Sequence, residues 1–340
     1  MDSFLGCVER EISSASEFLK DRHINTIYFG GGTPSLYKPS SLQRLIDRAA
    51  SLFDCGEVQE TTVELNPDDV DENFVAMLGD TSFDRISLGV QSLDDSLLRF
   101  MNRRHDSSEA VRAVELLQRA GFSNISVDVI FGVKGFEKTL RETLRRIGEM
   151  GIQHVSAYHL SIEDGTRFAL LRKRGLFDEI SEQESEREFS LVHDTLQSMG
   201  FSHYEISNFA TQEKYRSKHN MAYWTSLPYL GFGPGAHSYD GFRFRRWSSQ
   251  SVFSYVEGVR YEQEELSDED VTNEILLTRL RTAQGLDLAR IPEKFRSIVA
   301  ESMKPFLASG KIQNVSPGHF VIPYNHYIIS DHIIRSLFVG

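Results

Sequence analysis

From Asn25 to His159, short runs of β-branched and aromatic residues alternate with longer stretches whose apolar positions recur every three or four residues. This is the pattern of βα units that build a parallel sheet. The spacing predicts strands at Thr26 to Phe29, Thr61 to Leu65, Arg85 to Leu88, Ile125 to Phe131 and His154 to Leu160. Between them lie segments long enough for crossover helices, such as Ser40 to Phe53 and Ser108 to Ala120. In the second of these, Ala110, Val111, Val114, Leu117 and Ala120 form one apolar face directed at the sheet, and Gly121 is placed to end the helix.

Ahead of the first strand, Phe4, Leu5, Val8, Ile12, Ala15, Phe18 and Leu19 share a helical face bordered by Cys7. A parallel unit that opens on a helix is unusual, because the repeat normally begins with a strand that later helices cover. After Leu160 the alternation stops. A charged helix is predicted at Ser181 to Met199, followed by an aromatic-rich region from Phe201 to Tyr255. Helices are then predicted at Glu274 to Thr282 and Ile298 to Ser309, the second bent or broken at Pro305. A turn at Ser316 to Gly318, a strand at His319 to Ile322 and a last helix ending near Phe338 close the chain. The expected organisation is an incomplete parallel (β/α) barrel over residues 1–200, a connecting region over 201–265, and a helical, winged-helix-like α+β region over 266–340.

Charge and composition narrow the partners. With 37 Lys and Arg against 49 Asp and Glu, the 340-residue chain carries a formal charge of −12, which argues against nucleic acid. Hydrophobic residues at 40% and charged residues at 25% are the mix of a globular protein. No apolar run approaches the ~18 residues of a bilayer span and the first residues lack a signal-peptide pattern, so a cytoplasmic location is expected, with peripheral membrane contact left open. Two cysteines, Cys7 and Cys55, build neither a disulfide framework nor a cysteine-rich metal site.

The sharpest block is YFGGGTPS, Tyr28 to Ser35, which runs out of a predicted strand. Three glycines at a strand's carboxyl end leave bare backbone that a ligand can approach; the plainer alternative is a tight βα turn. No Gly-Lys-Ser/Thr follows, which excludes a phosphate-binding P-loop. Glu64, Gln91 and Asp128 stand at or near other strand ends, where a parallel barrel gathers its ligands. A carboxylate there can accept both hydroxyls of a ribose, and Asp128, flanked by Val127, Val129, Ile130 and Phe131, needs a partner if buried. Glu64 reads equally as a solvated residue before a turn, and Arg103 as a ligand contact or a surface residue.

In their order and separations, Gly30 to Pro34, Glu64, Gln91, Arg103 and Asp128 resemble the radical S-adenosylmethionine (SAM) proteins of the oxygen-independent coproporphyrinogen oxidase group, over nearly the whole chain. The resemblance implies a partial radical-SAM-type barrel. It also implies SAM contacts at Gly31, Gly32, Thr33, Glu64, Gln91, Arg103 and Asp128, with Tyr158 and His237 matching two further positions. Downstream, HNMAYW from His219 to Trp224 and YLGFGPGAHSY from Tyr229 to Tyr239 resemble the HNxxYW signature and glycine-rich stretch of the haem-chaperone branch of that group. Taken as isolated residues, His219 is an ordinary polar residue and Trp224 an ordinary core aromatic. The resemblance instead makes His219, Asn220, Tyr223 and Trp224 candidates for haem, since a neutral imidazole can be an axial ligand and aromatic rings offer flat apolar faces. The expected function is a haem chaperone delivering haem to an apo-haemoprotein. Alternatives are oxygen-independent coproporphyrinogen III oxidation and a cluster-less scaffold for SAM or haem.

The sequence departs from the family in one respect. The family's CxxxCxxC motif, which holds a [4Fe-4S] cluster in a loop after the first barrel strand, is absent, and no cluster ligand is assigned in this chain. Cys7 and Cys55 read as buried or semi-buried thiols. By order, the expected missing piece is one strand and its loop, roughly 30 residues, with a mis-assigned start or a truncated chain preferred to a natural cluster-less relative. The cluster, and any radical chemistry, is therefore expected only in a complete form.

Overall fold

The computed structural model describes residues 2–15, 18–19 and 22–340. The chain enters through α1 (Asp2–Ser14) and then alternates β1 (Thr26–Phe29), α2 (Pro39–Ala50), β2 (Glu60–Leu65), α3 (Glu72–Gly79) and β3 (Arg85–Gln91). It continues with α4 (Asp95–Phe100), α5 (Ser107–Arg119), β4 (Ile125–Phe131), α6 (Glu137–Glu149), β5 (His154–His159), α7 (Arg167–Lys173) and α8 (Glu182–Ser198). Strands β1 to β5 pair in parallel and in sequence order, and the hairpin β6 (Ser202–Glu205) and β7 (Asn208–Ala210) extends the sheet antiparallel through β7, giving β1-β2-β3-β4-β5-β7-β6. The result is the curled half-barrel expected from the alternation.

Period-2 alternation decides what each face holds. Val63, Leu65, Ile86, Leu88, Ile125, Val127, Val129 and Val155 belong to one core with the helices. Each fully buried aliphatic side chain there contributes about 1.5–3 kcal/mol. The intervening residues Glu60, Thr62, Glu64, Arg85, Ser87, Ser126, Asp128, His154 and Ser156 line the concave face, which is polar. Those charges are not left bare. Glu60 lies 4.0 Å from Arg85, Ser126 Oγ lies 2.7 Å from His154 Nδ1, and the other His154 nitrogen lies 2.8 Å from the Tyr204 hydroxyl.

After the half-barrel come α9 (Lys218–Trp224), β8 (His237–Tyr239), β9 (Phe244–Trp247), α10 (Val252–Glu257) and β10 (Glu262–Glu265), the three strands forming a small antiparallel sheet. The chain ends with α11 (Asp268–Arg279), β11 (Leu286–Asp287), α12 (Glu293–Ala308), β12 (Gln313–Ser316), β13 (His319–Val321) and α13 (Ser330–Arg335), helices beside a three-stranded wing.

Helices α1, α11 and α12 depart from expectation, α12 already by starting at Glu293, ahead of Ile298. Helix α1 stops at Ser14 and does not run on to Leu19; the Ser13 and Ser14 hydroxyls donate back to the Glu9 and Glu11 carbonyls, a competition that shortens helices. Helix α11 starts at Asp268, ahead of Glu274, because Ser267 and Asp270 form a capping box. Helix α12 runs through Pro305, which falls in its last turn where little ladder remains to be lost.

Candidate functional site

The carboxyl end of β1 opens into Gly30, Gly31 and Gly32. A side chain at Gly30 would strike Glu64 Oε1 and come within 2.5 Å of Tyr28 Cε1, so anything larger than glycine would push both aside. Gly31 has φ +77, which favours glycine, and beside Gly31 and Gly32 the described residues leave open space. Glu64 on β2 binds this loop from below: its Oε1 accepts the Tyr28 hydroxyl at 2.7 Å and its Oε2 accepts the Gly31 N–H at 3.2 Å. Thr33 begins the short turn Pro34–Leu36, whose Ser35 hydroxyl donates to Asp69 at 2.6 Å.

At the next strand end, β3 carries a bulge between Leu88 and Gln91, and Gln91 itself has φ +65. A non-glycine residue in that region costs energy and is kept where surrounding contacts demand it. Here Gln91 Nε2 and Arg103 Nη2 both crowd Gly89, where an added Cβ would meet them at 2.9 and 3.3 Å. Arg103 donates to Asn66 Oδ1 at 2.8 Å and to the Gly89 carbonyl at 3.1 Å, while its Nε is buried without a partner. Asp128 on β4 faces Ser87 and Ser156; burial pushes its carboxyl up to about 7, and the neighbouring Glu64 charge adds to the rise. Tyr158, at the end of β5, is 43% exposed and feels the Asp128 and Glu64 charges. Gly31, Glu64, Gln91, Arg103, Asp128 and Tyr158 therefore gather where β1 to β5 end. His237 is placed differently, on β8, exposed and stacked on Trp247 with ring centroids 5.8 Å apart.

Helix α9, with its HNMAYW sequence, packs against β1. Ser217 caps it through the Asn220 N–H, and Glu60 takes the N–H groups of Lys218 and His219 at 3.1 and 3.0 Å. The His219 ring lies on Tyr28, 4.6 Å between centroids and 17° from parallel. Its Nδ1 is 3.0 Å from Thr26 Oγ1 and its Nε2 3.2 Å from the Tyr223 hydroxyl. Burial pushes the imidazole down to about 4, so it is neutral at neutral pH. Tyr223, 40% exposed, is edge-on to both His219 and Tyr229. At the far end of the helix the buried Trp224 Nε1 faces Glu205, a carboxyl that burial pushes up to about 7 while hydrogen bonding from Asn208, Ser207 and Trp224 opposes the rise.

Several of these partners were not picked out from sequence: Thr26, Tyr28, Glu60, Asn66, Arg85 and Ser156. The signal that would have found Thr26 and Tyr28 is the alternation of β1, which sets them on the face opposite Ile27 and Phe29. Cys7 is buried on α1 with its Sγ 3.4 Å from the Val256 carbonyl, and Cys55 is half-buried against the same apolar cluster. Two thiols do not make the three-cysteine CxxxCxxC set of the family's [4Fe-4S] cluster, and the described residues hold no group of three or more His, Cys, Asp or Glu able to bind a metal.

Residues 8–147 match the model of the Radical SAM superfamily. The fold matches that of coproporphyrinogen III oxidase (HemN) from Escherichia coli with a TM-score of 0.82 at 18% identity, covering 99% of this chain and 83% of that one. The chain thus carries a Radical SAM superfamily match over residues 8–147 on a fold like that of HemN. The heme chaperone HemW of Lactococcus lactis is 34% identical over 80% of this chain and 73% of its own length. That of Bacillus subtilis is 31% identical over 87% and 79%. The chain belongs to the HemW family.

Proposed function

We propose that the protein is a cytoplasmic haem chaperone, binding haem through α9 and SAM at the strand ends and delivering haem to an apo-haemoprotein. The observation that carries the haem half is His219: a neutral imidazole whose Nε2 lies 3.2 Å from the hydroxyl of Tyr223, a residue that is 40% exposed. Thr26 accepting from Nδ1–H would leave the Nε2 lone pair for iron, the second-shell arrangement that makes an imidazole a good ligand. Tyr223 and Trp224 supply flat apolar surface, and Asn220 stands in the same turn. The HemW relatives named as heme chaperones support the same reading.

The strand-end residues fit SAM. Gly31, Gly32 and Thr33 present backbone to its methionyl end, Glu64 and Asp128 offer acceptors, and Gln91 and the unpartnered Nε of Arg103 offer donors. Tyr158 completes the proposed contacts at the strand ends, and His237, on β8 and stacked on Trp247, is a further candidate outside that group. When bound, SAM would bring a sulfonium whose reductive cleavage needs an electron source, and the described residues hold no set of ligands that fits a [4Fe-4S] cluster. Among the described residues, no helix is long and apolar enough to cross a membrane.

Haemin titration followed at the Soret band tests the proposal. The native chain is expected to bind haem stoichiometrically, and His219→Ala combined with Trp224→Ala to abolish it; undiminished binding by the double variant would refute the site.

A further inference from the structure

Tyr28 joins the two groups of residues described above. One face of its ring lies on His219, and its hydroxyl donates to Glu64, whose second oxygen accepts from Gly31. Burial and the adjoining Glu64 and Asp128 charges push the Tyr28 hydroxyl well above its ordinary range, so it stays a donor at physiological pH. The two side chains pack side by side, so that a side chain at Gly30 would meet Tyr28 and Glu64 at once. On the same face of the same strand, Thr26 Oγ1 lies 3.0 Å from the Nδ1 edge of the His219 ring.

We infer that Tyr28 is a positioning residue that couples the strand-end site to His219, so that SAM and haem each favour the binding of the other. This inference rests on the function proposed above. The physical argument is one of shared order. Glu64 divides its two oxygens between Tyr28 and Gly31, and a ligand that fixes Glu64 also fixes the ring against which His219 lies. The second ligand then meets an imidazole whose plane is already set and loses less conformational freedom on binding. Linkage makes the effect reciprocal.

The test is haemin titration of the full chain with and without saturating SAM, paired with calorimetric SAM titration with and without haemin. In the native chain SAM is expected to tighten haem binding by at least about fivefold, and haemin to tighten SAM binding by the same factor. Tyr28→Phe, which keeps the stacked ring and loses the bond to Glu64, should still bind both ligands with the factor reduced to about one. Tyr28→Leu should weaken haem binding even without SAM. A native factor of one, or an undiminished factor in Tyr28→Phe, overturns the coupling. If the native chain takes up no haem, or takes it up equally well as His219→Ala, the proposed function fails and the coupling with it. Haem bound through His219 without any response to SAM defeats the coupling alone.

Discussion

Glu60 holds His219 by its main chain: the carboxylate on β2 accepts the His219 N–H at 3.0 Å, with a second bond from Lys218 at 3.1 Å. The seven-residue α9 is too short to be stable alone, so its position depends on this contact and on the cap at Ser217. Glu60 is buried beside Arg85, which donates onward to Asn124 and the Tyr215 carbonyl.

Replacing Glu60 with Ala is therefore expected to cost about 3–5 kcal/mol, since it strands a buried guanidinium as well as two helix N–H groups. The midpoint of urea unfolding measures it. A shift worth less than about 1 kcal/mol would mean that water replaces the carboxylate.

Thr26→Val preserves shape and removes the hydroxyl next to His219 Nδ1. Loss of such an outer-shell partner is expected to weaken haem binding by about 10–100-fold with little change in fold. Soret titration of the variant, beside circular dichroism, separates the two effects.

Gly30→Ala should damage the fold as well as the site, costing about 1–3 kcal/mol because Glu64 and Tyr28 must both move. Gly32→Ala meets open space among the described residues, so it should fold normally and lose SAM binding only. Thermal unfolding together with calorimetric SAM titration of the two variants checks the contrast.

The raised Asp128 carboxyl gives a signed pH effect. Its folded value, about 7, exceeds the ~3.9 of an unfolded aspartate, so between those values the folded chain holds a proton that the unfolded chain has released. Stability from this group is present below pH ~4 and is lost as pH rises through about 7. If the ribose hydroxyls of SAM donate to the ionised form, SAM affinity rises with pH up to about 7. Asp128→Asn should bind SAM weakly and show no such slope between pH 5.5 and 8, a range covered by about five titrations.

His219 acts in the opposite sense. Its folded value of about 4 lies below the ordinary ~6.5 of histidine, so the stability it contributes is full above ~6.5 and is lost as pH falls through about 4. Haem binding through this imidazole should stay level across neutral pH and drop only near pH 4, which absorbance at graded pH would show.

The five parallel strands were legible because burial against helices writes short apolar runs such as Val129 to Phe131 into the sequence. Candidate residues at the strand ends were legible through their glycines and isolated charges. Gln91 was legible as a residue but its backbone was not: a left-handed glutamine in a bulge follows from Arg103 and Asn66 arriving from elsewhere, and local pattern carries no trace of that. Nor could periodicity place His219 upon Tyr28, since the contact spans 191 positions and is made by a helix docking on a strand. The early end of α1 was missed because apolar spacing continued through Phe18 and Leu19 while the serines were already competing for its carbonyls.

The uneven cover over His219 bears on the speed of hand-over. Three of its neighbours, Thr26, Tyr28 and Glu60, belong to the sheet, and only Tyr223 is 40% exposed. Uncovering Nε2 thus calls for Tyr223, a side chain of α9, to move, and not for the strands to part. A cargo held there would leave at a rate limited by ligand exchange or by meeting the recipient, and its transfer kinetics would vary with recipient concentration and not with the unfolding rate of the carrier.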